Sequence, residues 1–252
     1  MIMTSPVVTF IIPLKSPDVS EDYSLVSKLC IGTLNSILSS SCSDVRIILV
    51  CNAPPEKYPN DSRLEIISEQ FAIPTNRSEL FLDQKLKIKR GMIALKGFKS
   101  GYVMRMDADD FIHRDLVDFV KKNYNKSHGW YMPKGYVWEI GSKYIFTRNN
   151  FHLTTASSHI VYLTENDLPE SMNTPDSDYF VDLWEHLLLV KTCNKLNRPL
   201  QPIPYRYSIY TIGHSESVMS HSLRNWSSFK KTLWKLISIR PLTRTHVENF
   251  GL

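Results

Sequence analysis

Residues 102–110 read YVMRMDADD, an apolar stretch that runs directly into three carboxylates. The apolar part has the length and composition of a buried strand. Like charges this close repel each other unless a cation lies between them or the chain turns them into water. Because residues i and i+2 of an extended segment face the same side, Asp107 and Asp109 can bind one Mg²⁺ or Mn²⁺ ion. The alternative is a solvated turn in which Asp109 or Asp110 caps the following helix.

Predicted strands and helices alternate along the first half of the chain. The strands are predicted at residues 7–13, 45–51, 64–68 and 102–106, and the helices at residues 23–40 and 83–99. This order predicts a mainly parallel, doubly wound α/β sheet whose ligands bind beyond the carboxyl ends of the strands. The second half is predicted to contain a hairpin at 136–147, strands at 159–163 and 205–211, and a helix at 178–193.

The composition is that of a soluble globular protein. Of the 252 residues, 42% are hydrophobic and 22% are charged. The longest apolar runs are far shorter than the roughly 18 residues of a membrane-spanning helix. No basic, signal-like segment precedes the first apolar run, and the four cysteines show no short paired spacing. These features predict a cytoplasmic protein with reduced thiols.

The net charge of +5 lies in the last part of the chain. Residues 222–252 contain six basic residues and one acidic residue, so residues 1–221 are formally neutral. A nucleic-acid-binding protein would be expected to spread its basic residues over the folded body. Nucleic acid is therefore not expected as a partner.

A basic amphipathic helix is predicted at residues 223–238. Apolar residues recur there at three- and four-residue spacings, with basic residues mostly between them. Such a helix either lies on the inner face of an anionic cell membrane, which would make the protein peripheral, or packs on the protein's own core. We therefore divide the chain into a body at 1–221 and a basic tail at 222–252.

Three motifs in the first half of the chain occur in the order and spacing of a known enzyme family. Residues 8–13 read VTFIIP, residues 91–97 read GMIALKG shortly before residues 101–103 (GYV), and residues 107–110 read DADD. With these motifs the chain resembles the family-2-like glycosyltransferases of GT-A fold, in which a first strand ending in Ile-Pro is followed later by a D-x-D motif. The resemblance covers roughly residues 6–115 and implies a GT-A fold.

The resemblance also implies a metal-dependent enzyme that transfers a sugar from a nucleotide-diphosphate sugar. Residues 1–115 would form the donor-binding half, with Pro13 among the donor contacts, and residues 116–221 the acceptor-binding half. Asp109 is the first candidate ligand of Mn²⁺ or Mg²⁺, and Asp107 would bind the metal or the donor ribose. A bound dication would stabilise the negative charge on the departing diphosphate.

Two parts of the sequence depart from the family pattern. The second strand ends in Cys51 and Asn52, where the family often has an acidic pair, and Asn52 can take over part of the donor contact by hydrogen bonding. The family's Ala-Arg-Asn signature is absent, and Lys87, Lys89 and Arg90 occupy its region. These cations either contact the donor, with Arg90 as the candidate donor-binding residue, or form a solvated helix face.

Inverting members of the family use a carboxylate near the start of a later helix as general base. Asp178 and Asp182 lie four residues apart in the predicted helix and would share one of its faces. Asp182 is the preferred candidate because Leu-Trp follows it, as in the family. Alternatively, Asp176 or Asp178 caps the helix, and a retaining enzyme would not need this base.

His214 is the candidate metal ligand besides the two aspartates. It lies in the polar sequence GHSES at residues 213–217, where related enzymes often close a loop over the donor. The alternative is an exposed loop histidine. Trp130, Tyr136 and Trp138 either form a platform for the sugar or acceptor or belong to the core.

The leading hypothesis is a metal-dependent, inverting glycosyltransferase with a saccharide or glycolipid acceptor in surface polysaccharide biosynthesis. A sugar-phosphate nucleotidyltransferase would need a Gly-rich basic loop after its first strand, and residues 15–17 (KSP) do not supply one. The alternative from a different class is a non-catalytic module of the same fold that binds a sugar nucleotide or a membrane.

Overall fold

The structure, a computed structural model, describes residues 7–97, 100–124, 128–217 and 238–252. Its strands are β1 (Val8–Pro13), β2 (Val45–Cys51), β3 (Leu64–Ser68), β4 (Ser100–Arg105), β5 (Phe111–Ile112), β6 (Gly129–Tyr131), β7 (Lys134–Glu139), β8 (Tyr144–Asn149), β9 (His159–Thr164), β10 (Gln201–Pro202), β11 (Ser208–Ile212) and β12 (Ile239–Pro241). Its α-helices are α1 (Tyr23–Leu38), α2 (Arg77–Ile93), α3 (Leu116–Lys122), α4 (His186–Lys195) and α5 (Arg244–Phe250). The strands form two sheets.

The larger sheet has the strand order β3-β2-β1-β4-β9-β6-β10. All of these strands run parallel except β9, which is antiparallel to both β4 and β6. Helix α1 connects β1 to β2, and α2 connects β3 to β4. The predicted α/β architecture with a mainly parallel central sheet is therefore confirmed.

The central strand β1 is buried on both faces of this sheet. Phe10 and Ile12 belong to the same core cluster as Leu34 of α1, whereas Ile11 belongs to the opposite cluster with Ile88 of α2. A parallel strand covered on both faces is apolar at successive positions rather than at alternate ones. The uninterrupted apolar sequence of β1 thus places helices on both sides of the sheet.

The smaller sheet has the strand order β12-β8-β7-β11-β5. The predicted hairpin is confirmed as the antiparallel pair β7 and β8. Strand β5, which directly follows the acidic stretch, pairs antiparallel with β11, and β11 runs parallel to β7. The acidic stretch therefore lies where the two sheets meet.

The end of the chain packs on this smaller sheet. Strand β12 pairs antiparallel with β8, and Phe250 of α5 is buried beside β5 and β11 residues. The helix predicted at 223–238 lies, apart from Ser238, outside the described residues, and the division at residue 221 stays a prediction. No helix within the described ranges is long and apolar enough to cross a membrane.

The single helix predicted at residues 178–193 is wrong. The region instead forms two separate 3-10 turns before α4 begins, at residues 176–178 and 181–184. Between the turns, Tyr179 has an extended backbone, and both Tyr179 and Phe180 are buried. Burying two consecutive aromatic side chains in one core disrupts the helical path, because neighbouring residues on a helix point in different directions.

Helix α2 spans Arg77–Ile93 rather than the predicted 83–99, and it approaches β1 closely at Gly91. An added Cβ at Gly91 would lie 2.5 Å from Cγ2 of Ile11, a fully buried side chain. Ile11 is β-branched and cannot swing away freely. This close approach brings the preceding turns of α2 to the carboxyl end of β1.

We expect Gly91→Ala to lower the free energy of unfolding by about 1–2 kcal/mol. The reason is that the 2.5 Å approach places the cost of overpacking in the upper part of its usual range, about 2–3 kcal/mol, whereas the better helix propensity of Ala returns only about 1 kcal/mol. Urea unfolding measures the difference. Ser78→Ala, at an exposed position of the same helix, is the control and should stay within about 0.5 kcal/mol. A Gly91→Ala protein as stable as the parent would contradict the close packing of α2 on β1.

Candidate functional site

A cavity of about 240 Å³ opens at the carboxyl ends of β1 and β4. This is the edge of a parallel sheet at which ligands are expected. The ends of β4 and β11 supply most of its polar lining, and α1 and α2 supply much of its apolar lining. The polar lining includes Arg105, Asp107, Asp109, His186, His214 and Glu216, and the apolar lining includes Val26, Leu29, Leu80 and Phe81.

Asp107 is neutralised by a cation of the chain itself. Its Oδ1 accepts hydrogen bonds from Arg105 Nη2 at 3.1 Å and from Gln84 Nε2 at 3.2 Å. Its backbone N–H donates to Ser157 Oγ at 2.9 Å. Arg105 is buried, so this charge-assisted contact is shielded from solvent.

Asp109 and His214 meet inside the cavity lining. His214 Nε2 lies 2.8 Å from Asp109 Oδ2. The His214 side chain is only 4% exposed, so the alternative of an exposed loop histidine is wrong. The structure therefore brings together Asp109 and His214, two of the three residues of the sequence-predicted metal set.

Asp109 differs from the other carboxylates of the cavity in the charge of its partner. Each of the other three pairs with a lysine or arginine: Asp83 with Lys87 at 2.7 Å, Asp107 with Arg105 at 3.1 Å and Glu216 with Lys15 at 2.8 Å. Within the described ranges, Asp109 forms no ion pair with lysine or arginine and contacts only the imidazole of His214. Its negative charge is therefore the least compensated in the cavity.

Asp110 is fully buried and joins separate parts of the chain. Its Oδ2 accepts a hydrogen bond from Thr155 Oγ1 at 2.8 Å, and its Oδ1 accepts one from the backbone N–H of Thr211 at 2.9 Å. Burial, with the neighbouring carboxylates, raises the pKa of Asp110 well above its usual range. Helix α3 begins several residues further along, so the alternative that Asp109 or Asp110 caps it is wrong.

The loop that carries His214 is attached to the segment after β1. Glu216 is buried, forms an ion pair with Lys15, and accepts a hydrogen bond from the backbone N–H of Asp22 at 2.6 Å. Asp22 is the N-cap residue of α1. The loop begins at Gly213, where φ is +85°, a conformation that favours glycine. These contacts hold His214 over the cavity.

Helix α2 presents one face to the cavity, with Leu80, Asp83, Gln84 and Lys87 at helical spacings. Lys87 is 1% exposed, and its Nζ donates to Asp83 Oδ2 at 2.7 Å and to the carbonyl oxygen of Leu14 at 2.9 Å. Burial lowers the pKa of Lys87 and raises the pKa of Asp83. The alternative of a solvated helix face is therefore wrong for Lys87.

The other donor-binding predictions divide between the cavity and its surroundings. Pro13 lines the cavity. Asn52 does not, and its Nδ2 donates to the carbonyl oxygen of Phe71 at 3.0 Å. Arg90 is not among the residues that line the cavity, and it pairs with Glu69 at 2.7 Å.

Neither predicted base belongs to the cavity lining. Asp178 is exposed and accepts a hydrogen bond from Ser177 Oγ at 2.7 Å, and Asp182 lies in the second 3-10 turn. His186, the first residue of α4, does line the cavity. Burial lowers the pKa of His186, and nearby Arg105 lowers it further.

Sequence reasoning missed three cavity residues for different reasons. Asp83 has a signal, because it lies four residues before Lys87 in a predicted helix. His186 reaches the cavity because the predicted helix breaks before it. Glu216 is 201 residues from its partner Lys15, so no local pattern indicates the pair.

The predicted aromatic platform is not part of the cavity lining. Trp130 is buried, with its ring centroid 4.8 Å from that of Tyr102. Trp138 packs edge-on against Phe111, and Tyr136 against Phe250. These contacts favour the core-packing alternative.

The described side chains that line the cavity do not form a complete ligand set for a metal ion. In the part of the chain that the structure describes, no three His, Cys, Asp or Glu side chains are arranged to hold one. Asp109 and His214 supply two ligands, and Asp107 is already bound by Arg105. An ion at this place would take its remaining ligands from a substrate or water.

No protein-family model matches the chain, and the curated proteins give no match. Among solved structures, residues 1–349 of S. aureus TarS are similar at 14% identity and a TM-score of 0.45, over 81% of this chain and 60% of that one. TarS 1–349 in complex with UDP-GlcNAc gives 13% identity and a TM-score of 0.47, over 95% of this chain and 68% of that one. A nucleotide-diphospho-sugar transferase from Desulfovibrio desulfuricans G20 gives 9% identity and a TM-score of 0.34, over 91% and 94%.

The chain thus spans about 60% of the length of the first of these structures. The similarity between this chain and these structures is one of overall shape.

Proposed function

We propose that this protein transfers a sugar from a nucleotide-diphosphate sugar to a saccharide or glycolipid acceptor, with Mn²⁺ or Mg²⁺ bound at Asp109 and His214. The observation that carries the proposal is the contact between these two side chains in a cavity at the carboxyl ends of parallel strands. The order and spacing of the three glycosyltransferase-like motifs support the same reaction class.

The residues present fit a divalent ion that is completed by the substrate. A carboxylate and an imidazole converge at 2.8 Å, and the carboxylate lacks a lysine or arginine partner within the described ranges. Carboxylate oxygens suit Mg²⁺ and Mn²⁺, and imidazole is a common ligand of transition-metal ions. Asp109 and His214 would hold the ion, with diphosphate oxygens as further ligands, and Asp107 stays a predicted ligand or ribose contact. When bound, the ion supplies positive charge that stabilises the leaving diphosphate.

His186 fits the role of general base better than the carboxylates of its region. It lines the cavity, and its lowered pKa keeps the imidazole neutral near pH 7. In the inverting reaction, the acceptor hydroxyl oxygen forms a bond to the anomeric carbon while the bond from that carbon to the diphosphate oxygen breaks. The hydroxyl proton passes to His186, and the nucleoside diphosphate leaves. Neither Asp178 nor Asp182 lines the cavity. A role as general base stays a prediction for both.

The acceptor and the membrane association also stay predictions. An acceptor in surface polysaccharide synthesis and a position on the inner face of the cell membrane follow from the family resemblance and from the basic, aromatic sequence at 223–238. Co-sedimentation with anionic liposomes, compared between the parent and the full chain carrying Lys230→Glu, Lys231→Glu and Lys235→Glu, tests the membrane contact without removing β12 and α5. Equal binding of the two proteins would contradict a membrane contact through residues 223–238.

We expect Asp109→Asn to abolish metal-dependent donor binding and to reduce transfer at least about 100-fold, since a preorganised electrostatic contact to the leaving group is lost. Thermal stability is measured with UDP-, GDP-, CMP- and dTDP-sugars, each with Mn²⁺, Mg²⁺ or EDTA. The parent should be stabilised by one nucleotide class only when metal is present.

Asp115→Asn is the matched control, because Asp115 is a partly exposed aspartate close in sequence and outside the cavity lining. It should behave like the parent. Unchanged metal dependence in Asp109→Asn would contradict the assignment. Donor binding by the parent without transfer to any acceptor in a broad panel would support the non-catalytic alternative.

We expect His186→Gln to reduce kcat by about 10²–10⁴-fold while the KM for the donor changes little, because the base acts on the acceptor hydroxyl. In the parent, kcat/KM should fall as the pH drops through the pKa of His186, which lies below the ordinary 6.5. The variant should lose this acid limb. Asp182→Asn and Asp178→Asn are the comparison variants. If either aspartate variant loses most of its kcat while the kcat of His186→Gln is unchanged, the general base is that aspartate and not His186.

A further inference from the structure

Helices α1 and α2 each contribute apolar side chains to the cavity lining. Val26 and Leu29 lie three residues apart on α1, and Leu80 and Phe81 line the cavity from α2. Apolar walls of this kind suit the faces of a flat ring better than they suit a sugar, which carries hydroxyl groups around its edge. The apolar lining from α1 and α2 therefore fits a planar heterocycle.

Asp83 lies on the same face of α2 and has one oxygen without a partner. The residue is 8% exposed, and its Oδ2 accepts a hydrogen bond from Lys87 Nζ at 2.7 Å. Its Oδ1 is buried and accepts no hydrogen bond within the described ranges. A buried carboxylate oxygen without a donor is costly, so a ligand that brings an N–H to Asp83 would relieve this cost.

Lys87 holds the Asp83 carboxylate so that its Oδ1 is left without a hydrogen bond. Its Nζ is fixed by the carbonyl oxygen of Leu14 at 2.9 Å and lies 5.5 Å from the centre of the Phe71 ring. Lys87 therefore binds only one oxygen of the carboxylate and is a positioning residue.

The position of Asp83 relative to the proposed metal indicates which part of a donor it would meet. Gln84, the next residue on α2, donates to Asp107 Oδ1 at 3.2 Å, and Asp107 precedes Asp109 by two residues. Asp83 thus lies on a helix that contacts the proposed diphosphate side of the cavity through its next residue. In a nucleotide-diphosphate sugar, the planar group on one side of the diphosphate is the nucleobase.

We propose that Asp83 Oδ1 accepts the ring N–H of the donor's nucleobase, so that the protein selects diphosphates of uracil, thymine or guanine over those of cytosine or adenine. The first three bases carry an N–H in the ring at their hydrogen-bonding edge. Cytosine and adenine carry a ring nitrogen lone pair there, which repels a carboxylate. The inference rests on the proposed function and names the substrate class of the same cavity.

Isothermal titration of the full chain with UDP, dTDP, GDP, CDP and ADP in the presence of Mn²⁺ tests the proposal. The tightest ligand is then compared with its analogue methylated at the ring N–H: 3-methyluridine, 3-methylthymidine or 1-methylguanosine diphosphate. The parent protein should lose about 10- to 100-fold in affinity on methylation, as expected for a hydrogen bond to a charged group.

The variant Asp83→Asn distinguishes the loss of the hydrogen bond from a steric clash with the added methyl group. In this variant the unmethylated ligand should bind more weakly, and methylation should cost no more than about threefold, because the carboxylate contact is already absent. Asp118→Asn is the matched control, since Asp118 and Lys122 form an exposed pair with the same four-residue spacing. It should show the full discrimination of the parent.

CDP or ADP binding as tightly as the best of the other three would overturn the inference, and so would an equal cost of methylation in the parent and in Asp83→Asn. If Asp83→Asn does not fold, the comparison of the methylated and unmethylated ligands on the parent protein decides. Manganese-dependent binding without sensitivity to methylation would overturn the role of Asp83 and leave the proposed function standing. Binding of none of the five diphosphates would overturn both.

Discussion

The shape of the cavity depends on the hydrogen bonds that the buried Asp110 makes. Removing a carboxyl group from water is expensive unless its oxygens are hydrogen-bonded. Here Thr155 and Thr211 each donate to one of its oxygens, and the carbonyl oxygen of Asp110 accepts from Thr33 Oγ1 at 2.8 Å. Thr211 belongs to β11, Thr33 to α1, and Thr155 to the segment before β9. The acidic end of β4 is thereby fixed to the smaller sheet and to the helix layer of the larger one.

The placement of the other cavity groups follows from this anchor. Because Asp110 faces the interior, Asp107 and Asp109 are left on the cavity side of the chain. Because β11 is fixed to Asp110, the loop that follows β11 leaves the sheet beside Asp109, where His214 can meet it. Glu216 then ties the far end of that loop to Lys15. The carboxyl groups of Asp110 and Glu216 together thus hold the ends of β1, β4 and β11 around the same space.

Local sequence patterns predicted five of the seven strands of the larger sheet and part of the site, whereas the short strands β6 and β10 were not predicted. The apolar runs of β1, β2 and β4 predict buried parallel strands, and the ends of such strands predict where Asp107 and Asp109 gather. Contacts that depend on distant segments have no such signal. Arg90 has the right type and region for a donor contact, yet Glu69 of the neighbouring segment pairs with it. Lys87, only three residues earlier, is buried because α2 approaches β1 closely at Gly91.

The distribution of charge in the cavity also bears on the order in which ligands can bind. Three of the four lining carboxylates are neutralised by a lysine or arginine of the described chain, whereas Asp109 contacts only an imidazole. A diphosphate that approached Asp109 without a cation would meet an uncompensated negative charge. In the proposed function, a divalent ion bound first at Asp109 would reverse the sign of this region and make it attractive to the diphosphate. The lack of a lysine or arginine beside Asp109 in the described residues would therefore make donor binding depend on the metal in the proposed function.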